Sequence, residues 1–158
     1  IGFSNSLGTN TDLLNSLQES IIPWNKKENK ILITHMNVRT VSEEAINYRK
    51  KSIQNFKNKD WVNKIEKCDL QTYLNHINKH KFILCPKGNG IDTFRFWETV
   101  FLGSVPIIES CGLDDLYEKV PCIIVKNFNE VNELLLNTYK NNQQQDNSNY
   151  LTYENYVK

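Results

Sequence analysis

Gly88, Gly90, Asp92, Arg95 and Glu98 have the types and spacing to act together on a phosphorylated ligand. They follow an apolar run, Phe82-Ile83-Leu84-Cys85, that is long enough for a buried strand and is ended by Pro86. Lys87 to Asp92 reads as a loop, with Asp92 at the capping position of a helix over Thr93–Leu102. Gly103 stops that helix, and Val105-Pro106-Ile107-Ile108 reads as the next strand. Strand, glycine loop, helix and strand make one βαβ unit of a parallel sheet. Ligands of such sheets sit beyond the carboxyl ends of the strands, which is where this loop falls.

The residue types suit a nucleotide diphosphate with its sugar attached. Glycines at 88 and 90 let the backbone approach a ligand closely. The first turn of a helix offers N–H groups to an anion, and Arg95 adds a charged fork matched to phosphate oxygens. Glu98, one turn further in, has two carboxylate oxygens to accept from a ribose diol. Against this stands a plainer alternative: a glycine pair before a helix is more often only a turn. Arg95 and Glu98, three apart, could equally form a surface ion pair worth under about 1 kcal/mol. On the expected helix, Phe94, Trp97 and Phe101 share an apolar face, with Trp97 in the core.

The segment resembles the signature of exostosin-type glycosyltransferases of the GT-B superfamily. The pattern P-x-G-N-G-x-D-x-x-R-x-W-E-x-x-x-x-G-x-x-P-I is met by Pro86, Gly88, Asn89, Gly90, Asp92, Arg95, Trp97, Glu98, Gly103, Pro106 and Ile107. The resemblance implies a domain that binds a nucleotide-sugar donor. Arg95 would hold the diphosphate and stabilise it as a leaving group, and Glu98 would hold the ribose. Asn89 and Thr93 would complete the loop's donor contacts. Many relatives carry His where this chain has Phe94. Many retaining relatives carry a second Glu where this chain has Gly90, so the reading leans to an inverting enzyme. Ile1 to Ser6 echoes a further family element that precedes the donor domain.

The elements that must position these residues are legible as alternating runs. Ile1–Asn5 reads as a short strand, and a helix follows from Asn10 to Ile21. Ile31–Met36 reads as a strand with His35 inside it, and Val41–Phe56 as a helix. Asn37 and Arg39 lie between the two, at the same sheet edge as the glycine loop, and join the candidate donor contacts. The family has a comparable Asn element followed by an arginine inside the helix, a place that Arg49 takes here. Trp61–Ile65 reads as a short strand. Asp69 reads as the cap of a helix over Leu70–Lys79, with Lys79-His80-Lys81 as its basic end. Gly112–Lys119 reads as a loop with a helical turn, Pro121–Val125 as a strand and Asn127–Tyr139 as a helix. The polar run Asn141–Asn149 reads as a loop, and Tyr150, Tyr153 and Tyr156 stripe a final short helix.

Composition narrows the function classes. A chain of 158 residues that is 39% hydrophobic suits one globular domain. Its net charge of +1 gives no reason to expect nucleic acid or an anionic membrane as partner. The apolar runs are too short to span a bilayer. Cys68, Cys85, Cys111 and Cys122 show no metal or redox spacing and read as free thiols in a reducing, cytoplasmic setting. The histidines show no metal-ligand spacing with the acids, and no Asp-x-Asp motif occurs, so neither metal nor cofactor is expected beyond the donor itself. The start at Ile1 reads as a processed form or a piece of something longer.

The expected architecture is α/β, Rossmann-like, with a mainly parallel sheet and helices on both faces. Residues 1–30 read as an N-terminal segment, 31–140 as the nucleotide-sugar-binding domain, and 141–158 as the polar loop and last helix. The resemblance implies transfer of a sugar to a glycan acceptor. The acceptor half and its catalytic base would come from a separate domain or a second copy. The rival from another class is a non-catalytic nucleotide-sugar-binding module that works with a partner chain.

Overall fold

The computed structural model describes residues 16, 17, 19–36 and 42–145. The strand expected at Ile1–Asn5, the first turns of the helix after it, Asn37, Arg39 and the tyrosine stripe after residue 149 lie outside the described residues. In chain order the elements are β1 (Glu28–Ile33), α1 (Glu43–Ser52), β2 (Val62–Lys64), α2 (Leu70–Lys79), β3 (His80–Leu84), α3 (Phe94–Phe101), β4 (Val105–Glu109), α4 (Asp114–Tyr117), β5 (Ile123–Val125) and α5 (Glu133–Gln145).

The five strands form one sheet in the order β2-β1-β3-β4-β5, and every neighbouring pair is parallel. The fold is therefore the expected α/β arrangement. Its order reverses between β1 and β3, and ligands of doubly wound sheets sit beside such a reversal. The period of two along each strand sends alternate residues to opposite faces. Ile31, Ile33, Phe82, Leu84, Val105 and Ile107 pack on one side with Phe56, Phe128 and Leu136. Leu32, Ile83, Cys85 and Ile108 pack on the other with Leu74, Ile77, Phe96 and Leu102. Helices thus cover both faces, which explains why the strands read as continuous apolar runs.

Local chemistry sets the helix ends. Ser42 accepts from the Ala45 amide, and Asp69 accepts from the Thr72 amide at 2.9 Å. Asn132 accepts from the Leu135 amide at 2.9 Å before α5. Gly103, at φ 66°, takes the left-handed position just past α3 that a side chain would oppose.

Several expectations need correction. β1 ends at Ile33, so His35 lies beyond the strand and is exposed. His80 and Lys81 open β3 and are buried, leaving Lys79 as the exposed base at the end of α2. The helix expected over Asn127–Tyr139 is instead a 3-10 turn at Phe128–Glu130 followed by α5. α5 continues through residues 141–145, which read as loop; the stretch holds no glycine or proline to stop a helix. On α3 the fully buried aromatic is Phe96, whereas Phe94 is 45% exposed. A helix that begins at Phe94 and packs one face on the sheet turns Phe96, Thr99 and Leu102 inwards instead.

No local pattern signals the most unusual buried contact. Lys27 is only 4% exposed. Its ammonium donates to the Asn78 carbonyl at 2.5 Å, to Asn78 Oδ1 at 3.2 Å and to the Leu102 carbonyl at 2.9 Å. Those carbonyls belong to the last turn of α2 and the C-cap of α3, where helix ends leave acceptors unsatisfied and favour a cation. Burial outweighs this support and pushes the Lys27 pKa down to about 7.

Two expectations follow. Phe96→Ala should cost about 3–5 kcal/mol in a urea melt, while Phe94→Ala should stay within about 0.5 kcal/mol of wild type. Between about pH 7 and the ordinary lysine value of 10.5, Lys27 is protonated in the unfolded chain but not in the folded one. Its contribution therefore makes stability rise with pH across that window and is flat below it. Lys27→Met should lose this slope, read from urea midpoints at successive pH values, and should cost about 1–3 kcal/mol for each carbonyl left without a donor.

Candidate functional site

The glycine loop leaves the end of β3 and enters α3, beside the sheet's reversal. The Gly88 amide donates to the Gly90 carbonyl at 3.0 Å, which closes the loop on itself. Thr93 caps α3, its hydroxyl accepting from the Phe96 amide at 3.4 Å, so the cap falls one residue after the expected Asp92. Asp92 has a different task. Its Oδ1 accepts from Trp97 Nε1 at 2.8 Å and from the Tyr117 hydroxyl at 3.1 Å. The loop is thereby tied to α3 and α4. Trp97 is partly buried and shares this anchor instead of lying wholly in the core.

Two arginines approach this loop. Arg95, in the first turn of α3, donates through Nη2 to the His35 carbonyl at 3.4 Å and so bridges to the end of β1. Its Nε is buried with no hydrogen-bond partner. Arg49, on α1, reaches the loop from the opposite side of the reversal. Its Nε donates to the Lys87 carbonyl at 3.5 Å, and its Nη2 would lie 3.1 Å from a Cβ placed on Gly88. Gly88 is therefore the residue that gives this guanidinium room. Burial first, and then the charge of Arg95, lowers the Arg49 pKa. Two like charges close enough to feel one another gain from an anion between them.

Neighbouring groups hold this charge in place. Lys87 lies over the Tyr48 ring at 4.7 Å, and the Tyr48 hydroxyl donates to Glu109 Oε2 at 2.7 Å. Glu109 Oε1 in turn accepts from the Phe128 amide at 3.0 Å. Burial raises the Tyr48 pKa, with the hydrogen bond to Glu109 adding to it. Glu98 is 6% exposed and accepts from the Tyr73 hydroxyl at 2.7 Å. Burial raises the Glu98 pKa, against the pull of Tyr73 and the Arg95 charge. The surface ion pair between Arg95 and Glu98 thus gives way to two separate partners, the His35 carbonyl and Tyr73.

Gly88, Asn89, Gly90, Asp92 and Thr93 lie in the loop between β3 and α3, Arg95 in the first turn of α3 and Glu98 about one turn further in. Asn37 and Arg39 lie outside the described residues. Sequence reasoning reached Arg49 only through resemblance, and it gave Tyr48, Tyr73 and Lys87 no functional role. The caps at Ser42 and Asp69 were the available signal, since they fix which residues of α1 and α2 lie in the first turns of those helices. A cavity of about 460 Å³ lies elsewhere, between the Gln54–Phe56 turn and β2, lined by Ile53, Phe56, Val62 and exposed lysines 57, 59 and 64. None of its lining residues belongs to the glycine loop. Among the described residues no group of three or more His, Cys, Asp or Glu is placed to hold a metal, and no helix is long and apolar enough to cross a membrane.

A family model described as the RXYLT1 C-terminal domain matches residues 32–153. The chain belongs to that family. The RXYLT1 C-terminal domain is a glycosyltransferase-related domain akin to the exostosins, which agrees with the motif at Pro86–Ile107. No curated protein matches the chain. The family match begins within β1 and takes in both arginines and the whole glycine loop.

Removing the anchor should loosen the loop measurably. Asp92→Ala leaves Trp97 Nε1 and the Tyr117 hydroxyl without this acceptor, and should cost about 1–3 kcal/mol in a denaturant melt.

Proposed function

We propose that this chain is the donor-binding half of a GT-B glycosyltransferase within the RXYLT1 C-terminal domain family. It takes a nucleoside diphosphate sugar at the β1/β3 reversal, and the sugar passes to a glycan acceptor with inversion. The observation that carries this reading is the approach of Arg49 and Arg95 to one glycine loop from opposite sides of the reversal.

In this reading the loop amides and the first turn of α3 receive the diphosphate. Arg95 stabilises the charge that grows on the leaving diphosphate as the glycosidic bond to the sugar breaks, and Arg49 shares that charge. Glu98 accepts from the ribose hydroxyls. Asn37 and Arg39 approach the donor from the loop after β1. The acceptor and the base that takes its proton come from a second domain or a second copy. Ile91 and Phe94, 49% and 45% exposed, offer apolar surface beside the donor for that half to cover. The free thiols of Cys68, Cys85, Cys111 and Cys122 suit a reducing, cytoplasmic setting.

A nucleoside diphosphate at about 100 times its dissociation constant should stabilise the fold by roughly 2.7 kcal/mol. Arg95→Ala should weaken the diphosphate by about 1.5–3 kcal/mol and the free nucleoside far less. Titration calorimetry with a nucleoside and its diphosphate reads both. Equal losses for the two ligands would refute the role of Arg95, and no melting shift with any nucleoside diphosphate would refute the donor site.

A further inference from the structure

Glu98 is a carboxylate almost wholly enclosed in protein, with a phenol against one of its oxygens. It receives one hydrogen bond, from Tyr73 to Oε2, although a carboxylate offers about four acceptor positions. Arg95 also attracts it through charge. A desolvated carboxylate in this state is costly, and an apolar pair of the same volume would serve packing as well. Two buried polar atoms on the elements flanking the reversal lack partners: Arg95 Nε on α3, and Oγ1 of Thr34, 2% exposed, just past β1. These two atoms flank the reversal at the end of β1 and on α3, and Glu98 lies about one turn further along α3.

The position of Tyr73 gives it a part in that site. Asp69 caps α2 and Thr93 caps α3, so Tyr73 and Glu98 each lie about one turn in from a helix N-terminus. We infer that Tyr73 is a positioning residue for ribose recognition: its hydroxyl engages Glu98 Oε2 and leaves Oε1 directed to a ribose diol. A donor fixed on one carboxylate oxygen sets the rotation of the whole group, as an outer partner sets a ligating side chain. Without it the carboxylate is free to rotate and presents no fixed oxygen to the diol. This rests on the donor reading above and adds the residue that makes the site prefer a ribose to a deoxyribose.

The test compares a ribonucleoside diphosphate, its 2′-deoxy analogue and inorganic pyrophosphate on wild type, Tyr73→Phe, Glu98→Gln and the double variant. Wild type should favour the ribo form by about tenfold, the worth of one charge-assisted hydrogen bond. Tyr73→Phe should bring that preference to about twofold or less, with pyrophosphate affinity unchanged and so reporting an intact loop. In the Glu98→Gln background the same change should alter the preference no further, because Tyr73 acts through Glu98. If the phenylalanine variant does not fold, Tyr73→Met is read in the same way. A Tyr73→Phe protein that keeps the wild-type preference overturns the inference. A wild type that binds pyrophosphate with no ribose preference overturns it too, while leaving the diphosphate site standing. A wild type that binds none of the three ligands removes the donor reading and this inference together.

Discussion

The pairing of β1 with β3 is the constraint on which the rest depends. Ile31 and Leu32 align with Phe82 and Ile83, although β2 lies between the two strands in sequence. That pairing sends the connections after β1 and β3 away from each other to opposite faces of the sheet. α1 approaches the loop from one side and α3 from the other, so the two arginines arrive from different helices. A sheet ordered by sequence alone would leave no such gap.

Electrostatics then divides the gap into layers. Outermost is positive charge on Arg49, Arg95 and Lys87, set around a loop whose backbone is closed by its own hydrogen bond. Beneath it are acids that are already engaged: Asp92 with Trp97 and Tyr117, Glu109 with Tyr48, Glu98 with Tyr73. Each acid accepts from a phenol, and a phenol can satisfy a carboxylate without cancelling its charge. These bonds tie the loop to α3 and α4, α1 to β4, and α2 to α3.

The sheet, its helices and the glycine loop were legible because they rest on local signals. Apolar runs gave β3, β4 and β5, and single capping residues such as Asp69 gave helix starts. The face of α3 was misread because Phe94, Trp97 and Phe101 follow helical spacing as well as Phe96 does. Which stripe turns inwards depends on where the sheet lies, and spacing does not contain that information. The partners of Asp92 and Glu98 were illegible for a related reason. Tyr117 and Tyr73 are each 25 residues away from the acid they serve, and no local pattern links them.

Lys27 fastens α2 and α3 to each other at the ends remote from the glycine loop. The two helices therefore resemble the arms of tweezers joined at the back. One end of the pair is joined by Lys27, and towards the other the Tyr73 hydroxyl meets Glu98. The joint is a single amine whose proton is held loosely near neutral pH. The cohesion of this seam therefore answers to pH at the end of the domain opposite the glycine loop.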